Sequence, residues 1–115
     1  MDIYSHILAQ SQKGSKLFSV LIDPDKTSPE EAGRIAFEAQ CCDVDFLLVG
    51  SSILTSGNID KCVETIRMFC NIPIVLFPGN TLQISMKADG ILYLSLISGR
   101  NPDLLIGKHI ITASK

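Results

Sequence analysis

The sequence predicts a parallel α/β fold assembled from repeated β/α units, and three observations carry that expectation. Four apolar runs, Leu17-Phe-Ser-Val-Leu-Ile22, Phe46-Leu-Leu-Val49, Ile74-Val-Leu-Phe77 and Ile91-Leu-Tyr-Leu94, are nearly continuous rather than alternating, as in strands buried on both faces. The first three begin near positions 17, 46 and 74, a spacing close to the roughly 30 residues of a βαβ unit. Each run opens onto polar, turn-rich residues: Asp23-Pro-Asp-Lys26, Gly50-Ser-Ser52, Pro78-Gly-Asn80 and Ser95 through Asn101. Parallel sheets bind their ligands at this carboxyl edge.

The elements follow in order. Ile3, Ile7 and Leu8 fall at helical spacing and Gly14 can end the pattern, so residues 2 to 12 form a short helix that plugs or flanks the sheet. After the first strand, Ser28-Pro-Glu-Glu31 combines an N-cap serine, a proline at the first helical position and a capping-box glutamate. Ala32, Ile35, Ala36 and Ala39 then keep one face, predicting a helix over 29–41. Ile59, Cys62, Val63, Ile66 and Phe69 repeat the spacing after Asn58, and Asn71-Ile-Pro73 closes this second crossover helix. The stretch from Phe77 to Gly90 is too short for another full crossover. Leu82, Ile84 and Met86 alternate there like an extended segment, so the third crossover is degenerate. Asn101-Pro-Asp103 starts one more helix. Residues 1–115 read as a single domain, a (β/α)4 unit behind a short N-terminal helix.

Bulk composition excludes several function classes. A net charge of −2 with no basic run gives no attraction to nucleic acid. No apolar run approaches the roughly 18 residues of a membrane span, and no secretory leader is recognisable, so a cytoplasmic location is expected. Cys41, Cys42, Cys62 and Cys70 lack paired zinc-ligand spacing and are read as structural buried thiols.

The richest chemistry lies in Asp23-Pro24-Asp25-Lys26. Oxygen ligands at a strand end suit magnesium, which takes one or two carboxylates and completes its shell from water and substrate phosphate. Alternatively, Asp23 merely ties the strand end and Asp25 is solvated. Lys26 can pair with phosphate or stand exposed. Gly50 and Ser51 offer close backbone approach to an anion, or form a plain turn. Asn80 follows a turn and is a candidate substrate-lining residue. His6 and His109 have no partner at catalytic spacing.

Taken together, LFSVLIDPDK, DFLLVGSS, PIVLFPGN and ADGILYLSLISGRNPDLLIGKH resemble the N-terminal half of the geranylgeranylglyceryl phosphate synthase family, in order and spacing across residues 17–109. The resemblance implies the first half of a TIM (β/α)8 barrel with an irregular third crossover. It implies a prenyltransferase that joins the 3-hydroxyl of sn-glycerol 1-phosphate to C1 of a polyprenyl diphosphate, in ether lipid biosynthesis. It makes Asp23 and Ser52 the Mg2+ ligands, beside the substrate-binding candidates Lys26, Gly50, Ser51 and Asn80 read from the residues above. Gly-Ser-Ser here replaces the family's Gly-Gly-Ser, and Leu21 stands where bacterial members carry lysine, which places the chain nearer the archaeal-type subgroup.

A complete barrel needs about 250 residues. The family's glycerol phosphate site belongs to its second half, so no catalytic residue is expected among these 115 positions, nor transfer by this chain alone. The open strand edges predict a homo-oligomer. Two other readings remain at this point: a non-catalytic half barrel that self-associates, and another TIM-barrel enzyme of phosphorylated metabolites, such as an aldolase using Lys26 for a Schiff base.

Overall fold

The computed structural model describes residues 2–50, 58–77 and 85–92. Within them the order is α1 (Ile3–Gln12), β1 (Ser19–Ile22), α2 (Pro29–Cys41), β2 (Phe46–Val49), α3 (Ile59–Phe69), β3 (Ile74–Leu76) and β4 (Gly90–Ile91). All strand pairs are parallel and the sheet order is β1-β2-β3-β4. The predicted β/α grammar is therefore realised, including the expected start of each described helix to within a residue.

Local chemistry explains the helix ends. Asp2 caps α1 by accepting the Tyr4 amide, and the helix stops in a Schellman turn. There Gly14 adopts φ +75°, its N–H donates to the Ser11 carbonyl, and the Ser15 N–H donates to the Gln10 carbonyl. Ser28 and Glu31 form the predicted reciprocal capping box of α2. Asn58 caps α3 by accepting the Lys61 amide at 3.0 Å. The end of α2 repeats the Schellman pattern with a non-glycine residue, Asp43 at φ +55°, a conformation that costs an L-residue energy.

The register separates two faces. Val20, Leu47 and Ile74 align in one row and Ile22, Val49, Leu76 and Ile91 in the next. These rows pack under α2 and α3 against Ala32, Ala36, Ala39, Ile59, Cys62, Val63 and Ile66. This is the core. Gly33 permits close helix approach: a Cβ there would lie 2.6 Å from the Phe69 ring. Leu21, Leu48, Val75 and Gly90 share the opposite face. α1 covers part of it, with His6 edge-on to Phe46 at 6.0 Å and Ile3 against Gly90.

Two expectations need correction here. The run containing β1 is not buried on both sides: Phe18 is 65% and Leu21 54% exposed, because β1 is an edge strand and nothing among the described residues covers Leu21. Cys41 and Cys42 are exposed at the end of α2, while Cys62 and Cys70 are buried as expected. Their positions fall after the last core residue of the helix, Ala39, where the chain turns away from the sheet.

β3 and β4 pair in parallel although residues 77–89 are all that connects them. The described return, residues 85–89, is held against α3 by polar contacts. Ser85 donates to Asp60, Lys87 pairs with Glu64, and Arg67 donates to the Lys87 carbonyl and to Asp89. Met86 lies in a turn and is 81% exposed, not in the extended segment its alternation suggested. Leu82 and Ile84, and the helix expected from Asn101, lie outside the described residues.

Two aspartates repeat one device. Asp45, just before β2, donates its N–H to the Phe18 carbonyl at 2.9 Å and accepts the Phe18 amide on its carboxylate at 2.8 Å. Asp89, just before β4, does the same to Ile74, with both contacts at 2.8 Å. Each clasps the amino end of the preceding strand and sets the register that carries through to the opposite, carboxyl edge.

Candidate active-site rim

The carboxyl ends of the strands form a continuous row. The Gly50 N–H donates to the Ile22 carbonyl at 3.2 Å, the Phe77 N–H to Val49 at 2.8 Å and the Leu92 N–H to Leu76 at 2.9 Å. The ladder thus extends one residue beyond each strand and sets Asp23, Gly50, Phe77 and Leu92 side by side. One end of the row is acidic and glycine-bearing; the other presents Phe77 and Leu92, 43% and 44% exposed. A polar head and an apolar tail are separated along one edge.

Asp23 is half-buried, and its Oδ1 accepts the Asp25 amide at 2.9 Å, while the Lys26 N–H donates to its backbone carbonyl at 3.1 Å. The strand-tying role weighed from sequence is therefore present. It does not consume the carboxylate, which has four lone-pair directions on two oxygens. Asp25 is half-buried rather than solvated. Gly50 is buried and has φ +154°, a backbone angle that L side chains rarely adopt, so the chain needs glycine to leave β2 at this point. Ser51, Ser52 and Asn80 lie outside the described residues. The row consequently brings together Asp23 and Gly50, with Lys26 at the end of the adjoining turn.

Beside this row is a cavity of about 350 Å3 between the β1–α2 loop and the first turn of α3, lined in part by Asp25, Lys26, Thr27, Ser28, Lys61 and Cys62. Cys62 forms part of its buried wall. Burial, and secondarily the negative charge of Asp23, push the Cys62 thiol up to about 11. Sequence reasoning assigned Cys62 only to the core and gave Lys61 no role. The signal for Lys61 was available in its place in the first turn of a helix that follows a strand's carboxyl end. Lys26 is exposed, which argues against the aldolase reading, since a Schiff-base lysine is activated by desolvation. Among the described residues no three His, Cys, Asp or Glu side chains cluster as a metal cage. An oxygen site of one carboxylate with hydroxyl, water and phosphate needs no such cage.

A parallel β/α wall with its polar groups gathered at the carboxyl rim is the architecture of part of a TIM barrel. The chain belongs to the PcrB family, whose model matches residues 10–115. Geranylgeranylglyceryl phosphate synthase of Chitinophaga pinensis is 45% identical over 111 residues, covering 96% of this chain and 44% of that protein. The enzyme of the same name from Pyrococcus abyssi is 39% identical over 109 residues, covering 94% of this chain and 43% of its own. The crystal structure of (S)-3-O-geranylgeranylglyceryl phosphate synthase from Thermoplasma acidophilum, in complex with its substrate sn-glycerol-1-phosphate, matches with a TM-score of 0.89 at 31% identity. That match covers 99% of this chain and 46% of the other. The chain thus spans about half the length of the relatives it matches. The resemblance drawn from the motifs and the half-barrel architecture both hold. Among the described residues no helix is long and apolar enough to cross a membrane.

Proposed function

We propose that this chain forms the prenyl-diphosphate side of a magnesium-dependent prenyltransferase that alkylates the 3-hydroxyl of sn-glycerol 1-phosphate. The observation that carries the reading is the rim row itself, in which a carboxylate and a glycine that leaves its strand at φ +154° stand at one end and Phe77 and Leu92 at the other. A prenyl diphosphate has the same polarity.

In this reading Asp23 and Ser52 hold Mg2+, which supplies Lewis-acid neutralisation of the departing diphosphate. Gly50 and Ser51 line the approach of the phosphates, Lys26 offers a cation to them, and Asn80 borders the substrate. Phe77 and Leu92 contact the start of the apolar tail and keep water from it. The acceptor oxygen forms its bond to the allylic C1 as the bond from C1 to the diphosphate oxygen breaks. The electron pair leaves with the diphosphate, and the hydroxyl proton passes to a base outside the described residues. The names of the relatives, and the glycerol phosphate complex of the Thermoplasma acidophilum enzyme, support the choice of substrates. The clasp of Asp45 and Asp89 positions the rim without touching substrate.

The test is a chimera in which residues 1–92 of this chain replace the matching part of the Chitinophaga pinensis enzyme. Radiolabelled sn-glycerol 1-phosphate should be converted to an ether in the presence of Mg2+ and a prenyl diphosphate. Asp23→Asn should reduce that conversion at least a hundredfold with the fold intact. Undiminished transfer by the variant rejects the assignment of Asp23.

A further inference from the structure

Residues 85–89, the return that leads into β4, lie along α3 in a regular order. Ser85 is the one buried polar side chain among the described residues; it donates to Asp60 and accepts the Lys87 N–H at 3.3 Å. Lys87 pairs with Glu64. The Arg67 guanidinium sets Nε and Nη2 at 3.1 and 2.9 Å from the Lys87 carbonyl, and Nη2 again at 2.7 Å from Asp89 Oδ2. Asp60, Glu64 and Arg67 stand at i, i+4 and i+7, a single stripe from the first turn of α3 to its last. They meet Ser85, Lys87 and Asp89 in that order, so the chain follows the helix from the carboxyl rim to the amino edge, where β4 begins.

The weakness that this arrangement offsets lies in β4, which is two residues long. The Asp89 N–H to the Ile74 carbonyl at 2.8 Å and the Leu92 N–H to the Leu76 carbonyl at 2.9 Å mark the two ends of its seam with β3. Bonds along one seam lie near the sheet plane, so they oppose sliding of the strand better than rotation about the seam. Rotation is opposed from off the sheet: Ile91 packs against the core, Ile3 meets Gly90 on the other face, and Arg67 holds residues 87 and 89 from α3. Of these the Arg67 contacts are directional, because one planar fork holds a carbonyl and a carboxylate at once. The Asp89 oxygen that it holds is also the one that accepts the Ile74 N–H.

We propose that Arg67, acting through Asp89, is a positioning residue for the prenyl tail: by holding the start of β4 against α3 it sets how Leu92 stands beside Phe77 at the apolar end of the rim. The inference rests on the reading of that end as the tail contact, and it assigns the fit of the hydrocarbon to a residue at the opposite edge of the sheet. A tail contact away from the reacting bond is made alike before and during transfer. Its loss therefore weakens binding of the prenyl diphosphate without slowing the chemical step. Binding of sn-glycerol 1-phosphate does not involve it.

The chimeric enzyme described above carries the test. Arg67→Ala should raise the KM for prenyl diphosphate about fivefold, the scale of one displaced apolar side-chain contact, and leave kcat and the KM for sn-glycerol 1-phosphate unchanged. Asp89→Asn keeps a carbonyl for the Ile74 amide but loses the charge facing Arg67, and should do the same. The double variant should be no worse than either single one, since the two residues act as a unit. Arg67→Lys keeps the charge pair without the fork and should recover only part of the loss. Gly14→Ala, which strains the turn after α1 at φ +75° and meets no other group, should leave all three constants unchanged. Hydrogen exchange at the Leu92 amide should accelerate in Arg67→Ala, while the Phe77 amide, in the seam between β2 and β3, keeps its rate. A matching rise in KM for Gly14→Ala, additive effects in the double variant, or unchanged exchange at Leu92 overturns the proposal. Faster exchange with an unchanged KM also overturns it, because β4 would then have loosened without consequence for the tail. The two readings fail separately. Loss of transfer in the Asp23→Asn chimera with a KM for prenyl diphosphate indifferent to Arg67 removes the positioning role alone. Retained transfer in Asp23→Asn removes the rim assignment itself.

Discussion

Replacing Asp89 by alanine removes one side chain with two different jobs, and their sizes can be separated. Its Oδ2 accepts the Ile74 amide at 2.8 Å and the Arg67 guanidinium at 2.7 Å. The ion pair is partly exposed, 38% and 34% for the two side chains, so it contributes about 0–1 kcal/mol. Ile74 is fully buried, and losing the acceptor for its amide costs about 1–3 kcal/mol. Asp89→Ala should therefore destabilise by about 2–3 kcal/mol in urea unfolding with an unchanged m-value. Asp89→Asn keeps a side-chain carbonyl for the amide and should cost about 1 kcal/mol. Arg67→Ala, which leaves the Ile74 amide paired, should also fall near 1 kcal/mol. If Arg67→Ala and Asp89→Ala prove equal, the clasp on β3 is not what holds that strand and the argument from the repeated aspartate fails.

Three further outcomes follow from local geometry. Cys62 has its thiol pushed up to about 11 from 9.0, so the stabilisation from keeping it protonated, about 2–3 kcal/mol, is complete below about pH 9 and lost as pH rises through about 11; pH-dependent denaturation compared with Cys62→Ala checks this, and a variant with the same alkaline profile would contradict it. Asp43→Gly should stabilise by about 0.5–1 kcal/mol, since glycine takes φ +55° freely and the change removes a negative charge from a helix C-terminus, a gain readable as a higher thermal midpoint. Gly50→Ala, at φ +154°, should cost about 1–3 kcal/mol and depress Mg2+-dependent pyrophosphate binding, measured by calorimetry.

The elements were legible because their signals are local. Ser28 and Glu31 announce a capping box and form one; Asn58 announces a cap and accepts the Lys61 amide. Gly14 likewise ends α1 where its conformational freedom is needed. What stayed hidden depends on pairing across the sheet. Nothing in the composition distinguishes Asp45 and Asp89 from solvated surface carboxylates, yet both are bonded to the preceding strand because the parallel register brings them there. The exposure of Leu21 is equally non-local: an apolar run says that a strand is fit for burial on two faces, not that both faces are covered by the residues at hand. Cys41 and Cys42 continue the helical pattern of α2 beyond the sheet, so periodicity alone misplaced them in the core. For the rim, strand-end grammar located Asp23, Gly50 and Lys26, whereas Lys61 required knowing that α3 begins beside the β1–α2 loop.

Asp23 carries two roles that a single substitution would confound, and the structure supplies a way to part them. Its Oδ1 closes a turn on the Asp25 amide, which shapes the loop leading to Lys26 and the cap at Ser28. Alanine removes both this acceptor and the charge; asparagine keeps an acceptor in the same place and removes the charge alone. The turn is part-buried and its loss costs about 1 kcal/mol, so Asp23→Ala should lower stability by that amount while Asp23→Asn stays close to the parent. Both should abolish magnesium-dependent transfer in the chimeric barrel if charge at the rim is what the reaction uses. Removing that charge should also let the Cys62 thiol ionise at lower pH, because Asp23 is one of the causes that raise it. Alkylation of Cys62 therefore reports on the Asp23 charge independently of turnover. Asp23→Asn that lost activity without accelerating that alkylation would mean the loop had moved, and the case for a direct role of this carboxylate would be lost with it.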